Sequence, residues 1–151
     1  MGLRYLTANE ITFIIEYYHN GGGIDEESAE NFFQFVDQAY DTFSSSGDRS
    51  ELSRAARLSQ GTLASVKPMQ DYLYFRPSWK EPFDILYFTP AVTSIVNVND
   101  RSLSLTPELL YNPKTNLEFR LRSTFLMGNN NTEYGEKRND YKIELRVRYY
   151  F

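Results

Sequence analysis

The last eleven residues constrain the chain most. Tyr141, Ile143, Leu145, Val147, Tyr149 and Phe151 take every odd position, and Lys142, Glu144, Arg146 and Arg148 take the even ones before Tyr150. Side chains alternate sides along a strand, so this spacing predicts one wholly apolar face and one mostly charged face. An ordinary globular strand runs about five or six residues. A tilted strand crossing a bilayer needs about nine to eleven.

The same rhythm extends upstream. Leu117, Phe119, Leu121, Phe125 and Met127 oppose Glu118, Arg120, Arg122 and Thr124, with Ser123 the exception. Leu103 to Tyr111 alternates with Ser104, Thr106 and Glu108, and Asn112–Asn116 predicts a tight turn to the next strand. The run from Phe83 to Asn97 is expected as a further strand, weakened by Pro90, which cannot donate to a ladder. Tyr72–Trp79, closed by Lys80-Glu81-Pro82, and Glu10–His19, joined through Thr7-Ala8-Asn9 to a stub at Leu3–Leu6, complete seven expected strands.

Residues 21–70 break the rhythm. Ala29, Phe32, Phe33, Val36, Ala39, Tyr40 and Phe43 recur at helical spacing. Asp25 is the expected N-cap, with Glu26, Glu27 and Glu30 near the positive end of the dipole. Ser44-Ser45-Ser46-Gly47 ends that helix, and Asp48 with Glu51 predicts a capping box opening a second helix to about Leu58. The Phe32/Phe33/Val36/Tyr40/Phe43 stripe must bury, and packing on Leu52, Ala55 and Ala56 is its simplest use. The insertion also carries the whole net charge of -4, with eight acids against four bases. An acidic balance of this kind excludes a general nucleic-acid binder.

The expected fold is therefore all-β: an antiparallel up-and-down meander of about seven strands, with one helical loop. It reads as a single partial barrel domain over 1–151, carrying the insertion 21–70. Connections at Thr7–Asn9, Lys80–Pro82 and Asn112–Asn116 are short. Those at 21–70 and 128–140 are long, as one rim of a transmembrane barrel requires, although Val98–Arg101 is short as well. Tyr17, Trp79, Tyr111, Phe119 and Phe125 fit the aromatic girdles of such a wall. With 16% aromatic residues, a mean hydropathy of -0.52 and no long apolar run, the chain excludes a spanning helix, and with no cysteine it excludes a disulfide scaffold.

The ending Tyr141–Phe151 resembles the terminal signal of Gram-negative outer-membrane β-barrel proteins, in which the last strand ends in an aromatic preceded by apolar residues at alternate positions. The resemblance implies that Tyr141, Ile143, Leu145, Val147, Tyr149 and Phe151 are read by the barrel assembly machinery. It implies a place in the cell outer membrane, with outer-membrane lipid as solvent for the apolar face. The start at Leu3-Arg4-Tyr5, without an export signal, reads as the inside of an element. Further N-terminal strands or another protomer are then expected to close the barrel.

With apolar residues toward lipid, the charged ones line the lumen. The expected basic stripe is Arg120, Arg122, Lys142, Arg146 and Arg148, with Glu16, Glu108, Glu118 and Glu144 as lumen acids, and Arg4, Arg76 and Asp84 elsewhere on the inner side. The leading expectation is the C-terminal portion of a porin-like channel passing small polar or anionic solutes. The alternatives are a non-conducting barrel serving adhesion or assembly through its helical loop, and a soluble β-barrel binding an apolar ligand. A structural ladder, with Glu118 and Glu144 pairing to arginines, is the plain reading of the stripe.

No catalysis, cofactor or metal is expected. His19 is the only histidine, and no motif marks Ser44–Ser46 or Ser94 as a nucleophile. Gly21-Gly22-Gly23 lacks the Lys-Ser/Thr of a phosphate loop and reads as a flexible exit from a strand. Asn97, Asn99 and Asp100 offer oxygens without the EF-hand pattern.

Overall fold

The computed structural model describes residues 1–60 and 67–151. Part of the expected insertion, 61–66, lies outside the described residues. Seven strands form one antiparallel sheet in sequence order: β1 (Gly2–Leu6), β2 (Ile11–His19), β3 (Asp71–Trp79), β4 (Phe88–Asn97), β5 (Leu103–Lys114), β6 (Leu117–Met127) and β7 (Tyr141–Tyr149). Two helices, α1 (Glu26–Ser46) and α2 (Ser50–Ser59), stand between β2 and β3. The sheet is open, with β1 and β7 each paired on one side only.

Alternation fixes the register. Leu121 faces Leu109 on one side and Leu145 on the other, and Phe119 faces Tyr111 and Val147. A slip by one residue would turn every one of these to the other side. The result is one apolar face running from Leu3 to Tyr149. On the opposite face, Arg76, Thr93, Thr106, Glu108, Arg122, Thr124 and Glu144 lie in adjoining rows.

The distribution of burial is the reverse of a soluble sheet. Leu145 is 70% exposed and Val147 55%, while Glu108 on the polar face is 7% exposed. Ile15, Leu73, Phe75, Leu109, Leu121 and Phe125 are likewise exposed. The sheet thus holds its apolar side chains away from any core of its own, whereas a soluble antiparallel sheet wets its polar face.

The small core lies where the insertion meets the polar face. Ala29 of α1, Met69 and Tyr72 are buried together, with Ile24, Phe33 and Ile95 against them. Gly23 permits this approach. A Cβ there would stand 2.4 Å from the Met69 carbonyl oxygen, where Ile24 and Met69 form a parallel bridge. The glycine run is therefore partly a close-packing site and not only a flexible exit. The C-terminal half of α1 packs on α2 through the buried Ala39 and Ala55. Arg54 lies 5.4 Å over the Phe35 ring and Arg49 5.4 Å over Phe43. Of the apolar stripe, Phe33 thus docks on the small core, Phe43 lies under Arg49 at the α2 N-cap, and Tyr40 stays exposed.

Several local expectations change. Asp25 caps α1 by accepting from the Ser28 amide, and Gly47, at φ 74°, closes it by donating to Phe43. The Asp48–Glu51 capping box does not form. Asp48 accepts from the Ser50 amide and hydroxyl, which stops the chain one residue before α2, and Arg49 takes the cap position. The strand expected from Phe83 begins at Phe88, because Glu81, Phe83, Asp84 and Tyr87 all adopt positive φ and Pro82–Asp84 forms a 3-10 turn. Lys80–Tyr87 is therefore a longer connection than Val98–Ser102, and the loop-length rule holds only through 20–70 and 128–140. β5 runs on to Lys114 through an irregularity after Tyr111, leaving Thr115-Asn116 as the turn. β7 ends at Tyr149: Tyr150 still donates to Asn116, and Phe151 lies beyond the strand with its ring 5.1 Å from Tyr149.

Candidate functional site

The polar face carries a repeated unit, one carboxylate between two bases. Glu108 on β5 pairs with Arg76 on β3 at 3.2 Å and with Arg122 on β6, whose Nε donates at 3.0 Å. Glu118 on β6 faces Arg120 at 3.6 Å and Arg148 on β7 at 3.8 Å. Glu144 on β7 pairs with Lys142 at 3.4 Å and Arg146 at 3.0 Å. Register brings these groups together. Glu108 stands opposite Arg122, Glu118 opposite Arg148, and Arg122 opposite Glu144. Arg120 and Arg146 also stand directly opposite each other, a like-charge pairing that costs energy in a sheet.

All five residues of the expected basic stripe therefore touch an acid. Six bases share three carboxylates, and the face keeps a surplus of positive charge. The distances near Glu118 are charge contacts and not hydrogen bonds. Its Oε1 and the Arg120 Nε are buried without a hydrogen-bond partner among the described residues. A cavity of about 320 Å³ opens over this face, lined by Tyr74, Arg76, Thr93, Thr106, Glu108, Arg122 and Thr124. The Thr106 hydroxyl donates to Thr124 at 3.1 Å within it.

Other expected inner residues join less closely. Glu16 shares the face, opposite Gly2 and Tyr74, and Arg4 stands opposite Ile14 on the outermost pair. Asp84 leaves the wall altogether and sits in the 3-10 turn. Ile14, opposite Arg76, is an apolar residue on the polar face.

The apolar face carries aromatic residues at both ends. Trp79, Phe88, Tyr111, Phe119 and Tyr149 lie toward the rim of Lys80–Tyr87, with Trp79 and Phe83 rings 5.2 Å apart and Phe88 set edge-on to Tyr111 at 6.2 Å. Tyr17 and the registered pair Phe125–Tyr141 lie toward the opposite rim. Aliphatic residues such as Val92, Leu109, Leu121 and Leu145 occupy the band between.

That opposite rim is organised by residues that local spacing does not single out. Glu133, in the 128–140 loop, reaches back to the wall. Its Oε2 accepts from the Tyr72 hydroxyl at 2.6 Å and from Asn97 Nδ2 at 2.9 Å. Its amide donates to Asp100 at 2.6 Å, and Asp100 also holds the Ser102 amide and hydroxyl. Burial raises the Glu133 carboxyl above the ordinary carboxylate range, outweighing the two hydrogen bonds that lower it. Burial likewise pushes the neighbouring Tyr134 hydroxyl up. Asn97, Asn99 and Asp100, the oxygens considered for a cation, spend themselves on these internal bonds.

Nearby, Asp71 accepts from Tyr17 and from His19 Nδ1 at 2.7 Å, and Lys67 lies 5.0 Å over Tyr18 and 5.4 Å over Tyr72. His19 thus has a carboxylate partner, while neither Ser44–Ser46 nor Ser94 is hydrogen-bonded to it among the described residues. No group of three or more His, Cys, Asp or Glu side chains is placed to hold a metal among the described residues. Among the described residues no helix is long and apolar enough to cross a membrane, which leaves crossing by strands open. No family model, curated protein or solved structure matches the chain.

Proposed function

We propose that the chain forms part of the wall of an outer-membrane β-barrel, with its apolar face in lipid and its charged face toward a water-filled interior. The observation that carries this is the inversion of burial: on β3 to β7 the more exposed face is the apolar one, and the apolar face is banded by aromatics at both rims. β2 to β7 run nine to twelve residues, enough for a tilted crossing. An open edge is not viable in lipid, so further strands must pair with β1 and β7. In an antiparallel meander of seven, those two edge strands point the same way. Antiparallel closure then takes an odd number of added strands, from elsewhere in the polypeptide or from another protomer. In the outer membrane, the barrel assembly machinery would read the terminal strand.

Within that wall, the surplus of bases on the polar face favours a porin-like passage for small polar or anionic solutes. Reversal potentials of the reconstituted protein in planar bilayers test this. Anion preference supports it and cation preference overturns it. A second reading draws on the docked insertion: Ala29 and Phe33 pack over Tyr72 and Ile95 on the inner face, and nearly every inner charge is paired. A non-conducting barrel that presents α1 and α2 to a partner fits these contacts. Absence of any conductance in bilayers that demonstrably hold the protein selects it.

A further inference from the structure

One row of the polar face runs across five neighbouring strands. Arg76 on β3 donates through Nη1 to the Thr93 hydroxyl on β4 at 2.8 Å, and Thr93 stands opposite Thr106 on β5. Thr106 bonds Thr124 on β6 at 3.1 Å, and Thr124 stands opposite Lys142 on β7. Three hydroxyls thus lie in line between two bases. The cavity of about 320 Å³ lies over this row, with Tyr74 two residues along β3 from Arg76, and with Glu108 and Arg122 in the adjoining row. Its lining comes entirely from β3 to β6, each of which is paired on both sides.

Hydrogen bonding in this cavity is one-sided. Glu108, the only acid in the lining, has both oxygens engaged: Oε1 by Arg76, and Oε2 by Nε and Nη2 of Arg122. A guanidinium has no acceptor, so the Thr93 hydroxyl receives from Arg76 and its own hydrogen is left to give. Whichever of Thr106 and Thr124 donates to the other, one hydroxyl hydrogen of that pair is left as well. Arg122 Nη1 and the Tyr74 hydroxyl form no hydrogen bond among the described residues. The Arg76 and Arg122 side chains stay 29% and 38% exposed, while that of Glu108 is 9% exposed. The accessible lining therefore offers donors and one net positive charge, and its single carboxylate is covered.

We infer that this cavity binds a small hydroxylated organic acid, a monocarboxylate of the sugar-acid class. Its carboxylate accepts from Thr93 and Arg122 Nη1, and its hydroxyls exchange hydrogen bonds with Tyr74 and the Thr106–Thr124 pair. One net positive charge calls for one negative charge, and charge-assisted bonds from a guanidinium suit a planar carboxylate. The cavity is larger than a bare carboxylate and lined by hydroxyls, so the body of the acid is polar. Such a site rests on this face bordering a water-filled interior, as proposed above, and needs no conduction.

Calorimetric titration of the purified full-length protein in detergent with sodium D-gluconate tests the site, at constant ionic strength. D-glucose, which has hydroxyls without the carboxylate, and sodium acetate, which has the reverse, are the controls. The expected result is saturable binding of gluconate in the millimolar range, weaker binding of acetate and none of glucose. Thr93→Val, which keeps the side-chain shape, is expected to weaken gluconate binding by about tenfold, the worth of one charged hydrogen bond. Tyr74→Phe is expected to weaken it by about threefold, and Thr12→Val, on β2 and outside the cavity, to leave it unchanged. Glucose or acetate binding as tightly as gluconate, unchanged affinity in both Thr93→Val and Tyr74→Phe, an equal loss in Thr12→Val, or no saturation in the millimolar range overturns the site. Conductance without gluconate binding strikes the site and leaves the passage standing. Gluconate binding without conductance keeps the site and overturns the porin-like reading.

Discussion

The two faces of this one sheet are built from alternate residues of the same strands, yet they solve opposite problems. Leu121 and Arg122 are neighbours in sequence. The first lies between Leu109 and Leu145 on the exposed apolar face, and the second lies between Glu108 and Glu144 on the polar one. The apolar face is left largely exposed by the described residues, and on the reading proposed above it meets lipid. The polar face is held by long-range ion pairs that satisfy one another across strands. Stability is therefore expected to respond very unequally to the same introduced charge on the two faces.

The largest break comes from charge on the apolar face. Leu145→Lys, at the middle of β7, is expected to destabilise the lipid-embedded protein by about 3 kcal/mol. Thr124→Lys on the polar face, which loses the Thr106 hydrogen bond and stands opposite Lys142, is expected to cost only about 1 kcal/mol. Urea titration in vesicles, followed by tryptophan fluorescence, measures both. Equal effects would erase the distinction between the faces.

Next comes the carboxylate that joins three strands. Glu108→Ala leaves Arg76 and Arg122 facing each other without their shared acid. A fully buried broken pair costs about 3–5 kcal/mol. Both guanidiniums are partly exposed, so about 2 kcal/mol is expected by the same titration. Arg76→Gln combined with Glu108→Gln should cost less than Glu108→Ala alone, because it leaves no uncompensated charge of that pair.

A smaller effect sharpens the contrast between wall and rim. Tyr72→Phe removes the donor to Glu133 and the acceptor of the Met69 amide. The expected cost is about 1–2 kcal/mol, shared between docking of the 128–140 loop and the segment at Met69. Hydrogen exchange should rise in that loop and leave β5–β6 unchanged.

The smallest expected effects are in pH dependence, and they differ in sign. The Ser28 hydrogen bonds hold Asp25 below the ordinary carboxylate range, so its contribution to α1 is complete above the unfolded-state pKa and fades as pH falls through the lowered one. Glu133 is shifted upward, so its contribution is complete below the unfolded-state pKa and fades as pH rises through the raised one. Helical circular dichroism and loop proteolysis across pH 3–8 separate the two.

What could be read in advance follows from the range of the interaction. β2, β3, β6 and most of β7 were legible because period-two alternation is local. Asp25 and Gly47 were legible because capping acts within four residues. The segment Phe83–Tyr87 was not, since its Ile, Leu, Tyr and Phe carry strand propensity while the chain there adopts repeated positive φ. The stripe Arg120, Arg122, Lys142, Arg146 and Arg148 was legible as a row, and so was the pairing of Glu118 and Glu144 to its arginines, but the link from Arg122 through Glu108 to Arg76 was not. Glu108 reaches Arg76 from 32 residues away, and only the fold sets that distance. Glu133 was missed for the same reason. In sequence it is one acid in a polar loop, and its partners Tyr72 and Asn97 lie 61 and 36 residues away.

The central claim, that the apolar face meets lipid, has a built-in reporter. Trp79 is the only tryptophan and lies at the rim of that face. Fluorescence quenching in vesicles of brominated phosphatidylcholine tests the claim directly. The account predicts strong quenching by bromines placed near the headgroups, weaker quenching by bromines near the bilayer centre, and little quenching by aqueous iodide. Ready quenching by iodide with none from brominated lipid would contradict it.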